Sequence, residues 1–208
     1  MRFIKLFTCV FGLLHSVNLM AQKYIETSPA QWSAYNCKVN FNKDTIYLIN
    51  TAGKTAFLWV NNTNFRNGVI ELDVKGKDLA GQSFVGVAFH ATDNENYDAV
   101  YFRPFNFKNP EKKERAIQYI DKPDNDWNKL REQYPGKYES AVNPVPDPND
   151  WFHVRIVIDF PQVKVYVANS GAPSLQVEQI SKRKEGKFGL WIDGDEGWFK
   201  NVKITQVN

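Results

Sequence analysis

From residue 45 onward the chain alternates apolar and polar side chains with a two-residue period. Ile70, Leu72 and Val74 oppose Glu71 and Asp73, and Phe152, Val154, Ile156 and Ile158 oppose His153, Arg155 and Asp159. Such alternation marks strands with one buried and one wetter face. Short β runs, several of them alternating in this way, fall at 45–49, 55–60, 68–76, 83–91, 97–103, 115–120, 151–159, 162–168, 175–180, 186–193 and 198–205. So many short strands, each bounded by turn residues, predict an all-β sandwich or barrel. One stretch breaks the period. "DNDWNKLREQY" offers N-caps from Asp124 to Asp126, places Trp127, Leu130 and Tyr134 at helical spacing and stops at Pro135-Gly136, which predicts a short helix.

That helix lies between Arg103 and Trp151, an interval holding seven of the ten prolines. Linkers rarely carry so many aromatic residues, so residues 104–150 read as an insertion folded over one sheet face within a single domain spanning 22–208. Long loops in compact domains are commonly functional.

The N-terminus changes the charge and cysteine counts. Arg2 and Lys5 precede an apolar run over residues 6–14, too short to span a bilayer and of signal-peptide length. Cleavage after Ala21 leaves 24 basic against 23 acidic residues from the initial 26 and 23, a net charge near +1 that argues for neither nucleic-acid nor membrane partners. Cys9 leaves with the leader, and Cys37 alone cannot form an internal disulfide. "LFTC" lacks the small residue that precedes a lipid-modified cysteine, so the expectation is a soluble periplasmic or secreted protein. Its oligomeric state is open.

Chemistry is sought on the outer faces. If 68–76, 83–91 and 97–103 are neighbouring antiparallel strands, as their short connections suggest, one face carries Glu71, Asp73, Gly86, Ala88, His90, Ala99, Tyr101 and Arg103. Gly86 and Ala88 leave the backbone open to close approach. A sugar suits such a surface: its C–H face stacks on tyrosine or tryptophan while its hydroxyls meet planar polar side chains. Residues 104–150 would add Gln118, Tyr119, Trp127, Arg131 and Tyr138, with Trp127 and Arg131 four apart on one helical face. A surface ion pair is the competing reading for Arg103 and Arg131, and anchoring of the insertion for Tyr119 and Trp127.

"FRNGVIELDVKG", "FVGVAFHATDNENYDAVYFRP", "WFHVRIVIDFPQVKVYV" and "GKFGLWIDGDEGWFKNVKI", in that order, resemble the concanavalin A-like lectin and glucanase jelly rolls. The nearest branch is the exported bacterial one that includes 3-keto-disaccharide hydrolase and laminin-G-like domains. The resemblance implies a two-sheet antiparallel jelly roll over roughly residues 45–206 and says less about activity, since one fold hosts many functions.

Glycosidases of this superfamily carry a Glu-x-Asp-x-Glu strand. Here Glu71 and Asp73 match, while Lys75 stands where the second Glu belongs. A retaining mechanism needs carboxyl groups about 5–5.5 Å apart, and alternate residues on a strand face are about 6.5–7 Å apart, so spacing alone does not exclude the pair. The expectation is a glycan-binding protein using Tyr101, Arg103, His90, Gln118 and Arg131. The alternatives are a glycoside hydrolase or lyase with Glu71, Asp73 or His90 as acid or base, and an interaction module without sugar. No cofactor is implied, although Asp193 and Asp195 in the "DGDEG" turn could ligate Ca²⁺, as laminin-G-like domains sometimes do.

Overall fold

A computed structural model describes residues 21–206 of the chain. The expected leader, except Ala21, lies outside the described residues. In chain order the strands begin with β1 (Ala21–Tyr24), β2 (Trp32–Tyr35), β3 (Cys37–Asn42), β4 (Thr45–Asn50), β5 (Ala56–Val60), β6 (Gly68–Lys75), β7 (Ser83–Ala91) and β8 (Tyr97–Phe102). They continue with β9 (Ile117–Lys122), β10 (Glu139–Ser140), β11 (Phe152–Asp159), β12 (Gln162–Val167), β13 (Leu175–Glu178), β14 (Lys187–Gly194) and β15 (Glu196–Gln206), and a helix α1 (Trp127–Gln133) lies between β9 and β10.

These strands form two antiparallel sheets, the jelly-roll sandwich expected from the alternation. The first sheet runs β13-β12-β11-β6-β15-β4-β3, with β1 paired to β15, and the second runs β10-β9-β8-β7-β14-β5-β2. The core between them is built from the inward-facing residues of each strand: Ile70, Leu72, Val154, Ile156 and Phe199 from the first sheet meet Val85, Val87, Val100, Phe102 and Leu190 from the second, all essentially without exposure. The strands β1, β2, β3 and β10, which the sequence analysis did not mark, pair at sheet edges or beside β15, and β3, "CKVNFN", alternates apolar and polar residues throughout.

The expected adjacency of three strands is corrected. β6 pairs with β11 and β15 in the first sheet, whereas β7 pairs with β8 and β14 in the second. Residues 76–82 therefore cross between layers, where Ser83 Oγ accepts from the Lys77 amide at 2.9 Å. Strands close in sequence usually pair, yet a connection of this length also spans the roughly 10 Å between packed sheets. Glu71 and Asp73 consequently lie on the outer face of the first sheet. There Asp73 meets His153 Nδ1 at 2.8 Å and accepts from Asn201 at 2.6 Å, and Glu71 approaches Lys203 at 3.8 Å.

His90 also departs from its expected place. Two residues of β7, Phe89 and His90, stand opposite Phe188 alone, a bulge in which His90 takes φ +49° and leaves the strand alternation. Its ring turns inward, with Nε2 at 2.6 Å from the Arg66 carbonyl and Nδ1 at 3.1 Å from the Gln179 amide nitrogen. Beside it, Asp98 accepts from Tyr119, from Ser181 at 2.8 Å and from Arg183 at 2.9 Å, and Arg183 also binds Asp121. This network ties the segment after β13 across the end of the sandwich. Tyr119, expected on the ligand face, is an interior residue of it. Its backbone partner Tyr138 packs against it at 5.7 Å between ring centroids and is likewise buried.

Burial lowers the His90 pKa below 6.5, while the Arg66 backbone, Asp98 and the Arg183 backbone oppose that shift and the Arg183 charge reinforces it. The unfolded chain therefore takes up this proton first on acidification. Its stabilising contribution is complete above the ordinary value and is lost as pH falls through the lower folded value. Urea midpoints are expected to drop from pH 7.5 to 5.5 more steeply for the wild type than for His90→Gln; parallel slopes would show that His90 does not carry the dependence.

Candidate functional site

The outer face of the second sheet is aromatic. Register places Gly86 beside Tyr101 on one side and Trp191 on the other, and Trp191 beside Phe57. With hydrogen in place of a side chain at Gly86, the Tyr101 and Trp191 rings stack across β7 at 4.7 Å with 25° between planes. A Cβ at Gly86 would lie 2.2 Å from the Val100 carbonyl oxygen and 2.6 Å from Tyr101 Cα. The close approach inferred from this glycine is thus made by the protein's own aromatic residues.

Above this layer sits α1. Asp126 caps it, accepting from the Lys129 amide at 3.3 Å, and Leu130 is its buried anchor. Trp127 remains 46% exposed. Arg131, one turn on, makes a forked ion pair with Glu139 of β10, with Nε to Oε1 at 2.9 Å, and lies 4.9 Å from the Trp127 ring centroid. β10 is itself fixed to β9 through Glu139 opposite Gln118.

Arg103 follows β8 beneath this helix. Only 5% exposed, its guanidinium donates to Tyr101 Oη at 2.7 Å and to the Arg115 carbonyl at 2.9 Å, and lies 4.9 Å from the Tyr101 ring centroid. Burial lowers the Arg103 pKa, with Arg131 adding to that shift and Tyr101 opposing it. Burial likewise raises the Tyr101 hydroxyl. Gln118 lies underneath, 1% exposed, with its amide nitrogen donating to the Tyr119 and Tyr138 carbonyls. It supports Arg103 from below and presents no free donor.

Two hollows open over this face. One, of about 250 Å³, is lined by Phe84, Arg103, Asn106, Arg115, Trp127 and Arg131 among others. The second, of about 160 Å³, includes Tyr97, Tyr101, Trp191 and Asp193, and it shares Phe84 and Trp127 with the first. Together they form a cleft with Phe84 and Trp127 at its waist, basic at one end and carrying a carboxyl at the other. Asp193 is half-buried and its pKa is raised, chiefly by that burial, against the Gly194 amide at 3.0 Å and the Lys122 charge.

Of the residues singled out in the sequence, Tyr101, Arg103, Gln118, Trp127 and Arg131 meet on this face. Glu71 and Asp73 are on the other sheet, and His90, Tyr119 and Tyr138 are interior. Phe84, Trp191, Asn106, Lys112 and Arg115 were not singled out, although Trp191 and Asp193 alternate with Leu190 and Ile192 in "GLWID" and so carry an outward-facing signal. Asp193 was considered only as a metal ligand. It lines the cleft while Asp195 is exposed in the turn, and among the described residues no three His, Cys, Asp or Glu side chains cluster in a way that could hold a metal ion.

This architecture is that of the concanavalin A-like lectin and glucanase superfamily. Residues 24–205 match the family described as the 3-keto-alpha-glucoside-1,2-lyase-like domain, and the chain belongs to it. No curated protein matches the chain in sequence. Among solved structures it is similar to carbohydrate binding module CBM66 from Bacillus subtilis, with 16% identity, a TM-score of 0.61 and coverage of 84% of this chain and 95% of that one. Bacillus licheniformis beta-glucanase shares 12% identity at a TM-score of 0.58, covering 91% and 98%. The Ca²⁺/Man3GlcNAc-bound exoplasmic/lumenal domain of VIP36 shares 13% at 0.56, covering 87% and 85%.

Gly86→Ala is expected to cost about 2 kcal/mol in urea unfolding, because the added carbon collides with backbone on β8. An unchanged midpoint would show that the Tyr101–Trp191 stack tolerates a side chain beneath it.

Proposed function

We propose that the chain binds a saccharide in the cleft over the second sheet. The observation that carries this reading is the half-exposed Trp127 at the waist of a concave face, with Phe84 opposite, aromatic rings below and guanidinium groups at one end. An aromatic ring offers a flat apolar surface to the C–H face of a pyranose, and buried polar groups around it fix orientation. The fold similarity to a carbohydrate binding module and to a lectin domain bound to Man3GlcNAc supports the same class of ligand. The expected leader supports a function outside the cytoplasm. Ca²⁺ has no part in this reading, which rests on side chains alone.

A second reading, elimination on a 3-keto glycoside, is favoured by family membership and by Asp193. In such a substrate the C3 ketone acidifies the C2 proton. A base removes that proton, a C1–C2 double bond forms, and the glycosidic oxygen departs from C1 with a proton from an acid. A half-buried carboxyl with a raised pKa is suited to hold the departing proton. Glu71 and Asp73 on the other sheet have no access to this cleft.

Trp127→Ala removes an exposed ring and should leave the fold intact. It is expected to weaken retention on a matching polysaccharide about tenfold, whereas unaltered retention would take the site elsewhere. Incubation with 3-keto glycosides separates the two readings. Turnover by the wild type that is lost in Asp193→Asn with binding preserved supports elimination, and binding without turnover in the wild type supports a lectin-like role.

A further inference from the structure

The basic end of the cleft has more positive charge than its own acids neutralise. Arg103, Lys112, Arg115 and Arg131 line it. Glu139 pairs with Arg131, and among the described residues no carboxylate pairs with Arg103, Lys112 or Arg115. Arg103 is the telling member. A buried guanidinium is normally matched by a carboxylate, because desolvation of an unpaired charge is costly. In this chain Arg183, less deeply buried, has two such partners, Asp98 and Asp121. Arg103 has only neutral acceptors: the Tyr101 hydroxyl, the Arg115 carbonyl and a distant Gln118 oxygen at 3.5 Å.

A second orphan lies in the same hollow. Asn106 is 3% exposed and its Nδ2 donates to the Arg115 carbonyl at 3.1 Å, which leaves Oδ1 as a buried acceptor without a donor. Buried polar atoms without partners are rare, and each asks for an explanation. The missing partners are of opposite kinds: an anion for the guanidinium groups and a hydroxyl donor for the amide oxygen. Inorganic sulfate, which has no hydroxyl, supplies the first alone. A sugar bearing an acidic group supplies both, within the reach of one ring.

We propose that the cleft selects a saccharide with an anionic substituent, a uronate carboxylate or a sulfate or phosphate ester, seated between Arg103 and Arg115 with a neighbouring hydroxyl donating to Asn106. This rests on the reading of the cleft as a saccharide site and names the class it takes. Charge-assisted hydrogen bonds from a planar guanidinium are the strong ones, and they are strongest where water is excluded. The neutral rings of the same chain would stack on Trp127 and Phe84, toward the Asp193 end.

The test is calorimetric titration of residues 22–208 with tetragalacturonate, tetramannuronate, a sulfated carrageenan tetrasaccharide, cellotetraose and laminaritetraose. At least one acidic probe is expected to bind about tenfold or more tightly than the neutral ones, and the probe that does so identifies the acid as carboxylate or ester. Arg115→Gln, an exposed position that should not disturb folding, is expected to collapse that ratio. Lys38→Gln, which removes the same charge from an exposed position on β3 of the other sheet, should leave it unchanged. Equal binding of acidic and neutral probes overturns the inference and leaves the saccharide cleft standing. Acid preference that survives Arg115→Gln places the anion elsewhere and overturns it too. Binding of none of the five overturns both readings.

Discussion

The cleft depends on one buried guanidinium. Arg103 draws the Tyr101 hydroxyl, the Arg115 carbonyl and, through that carbonyl, the Asn106 amide to a single point. Those hydrogen bonds fix residues 104–116 against the end of β8, and so position the wall that carries Phe105, Lys112 and Arg115. The other wall is set by the Arg131–Glu139 pair, which holds α1 to β10. Between them the Tyr101–Trp191 stack makes a rigid floor, possible because Gly86 leaves room above β7. Every contact made by Arg103 is neutral, so the same residue that organises the site also leaves it electrostatically incomplete.

The sandwich gives the molecule two outer faces of different character. The first sheet carries the carboxylate and histidine group of Glu71, Asp73 and His153, flanked by the Tyr47–Trp198 stack with lysines over its ring. The cleft over the second sheet includes none of these acids. On the second sheet, β10, α1 and residues 104–116 rise around an aromatic floor. Concave shape, buried polar atoms and a carboxyl shifted by burial all occur on the second face. The jelly roll itself is compatible with binding and with chemistry, as its structural neighbours illustrate.

Much of this was legible in the amino-acid order. Eleven strands were marked as short β runs; alternation is clean in β6 and β11, which bury one face only, whereas β5, β8 and β9 are buried on both, and the Asp126 cap with Trp127 and Leu130 marked α1 because helix ends need side-chain acceptors. Tyr101, Arg103 and Arg131 were recognisable as outward-facing polar and aromatic groups. Sheet partnership was not recognisable, because periodicity assigns a side chain to a face and is silent on which strand lies alongside. Hence β6 was placed beside β7, and Trp191, brought to Gly86 by a strand a hundred residues away in sequence, was not connected to the site. His90 escaped because a one-residue bulge inverts its side, and Tyr119 because the parity of 115–120 is ambiguous until the pairing of Val100 with Tyr119 fixes it. The charges of "KNPEKKER" look like a solvated run until Arg103 and Asn106 anchor its end.

The central claim is that a saccharide occupies the cleft over the second sheet, and indole N–H resonances read its location directly. In ¹⁵N–¹H spectra of the titrated protein, the Trp127 and Trp191 signals should shift together and saturate with bound oligosaccharide, while Trp151 and Trp198, associated with the other sheet, stay in place. Shifts confined to Trp198 and Trp151, with Trp127 and Trp191 unmoved, would contradict the account and move recognition to the opposite face.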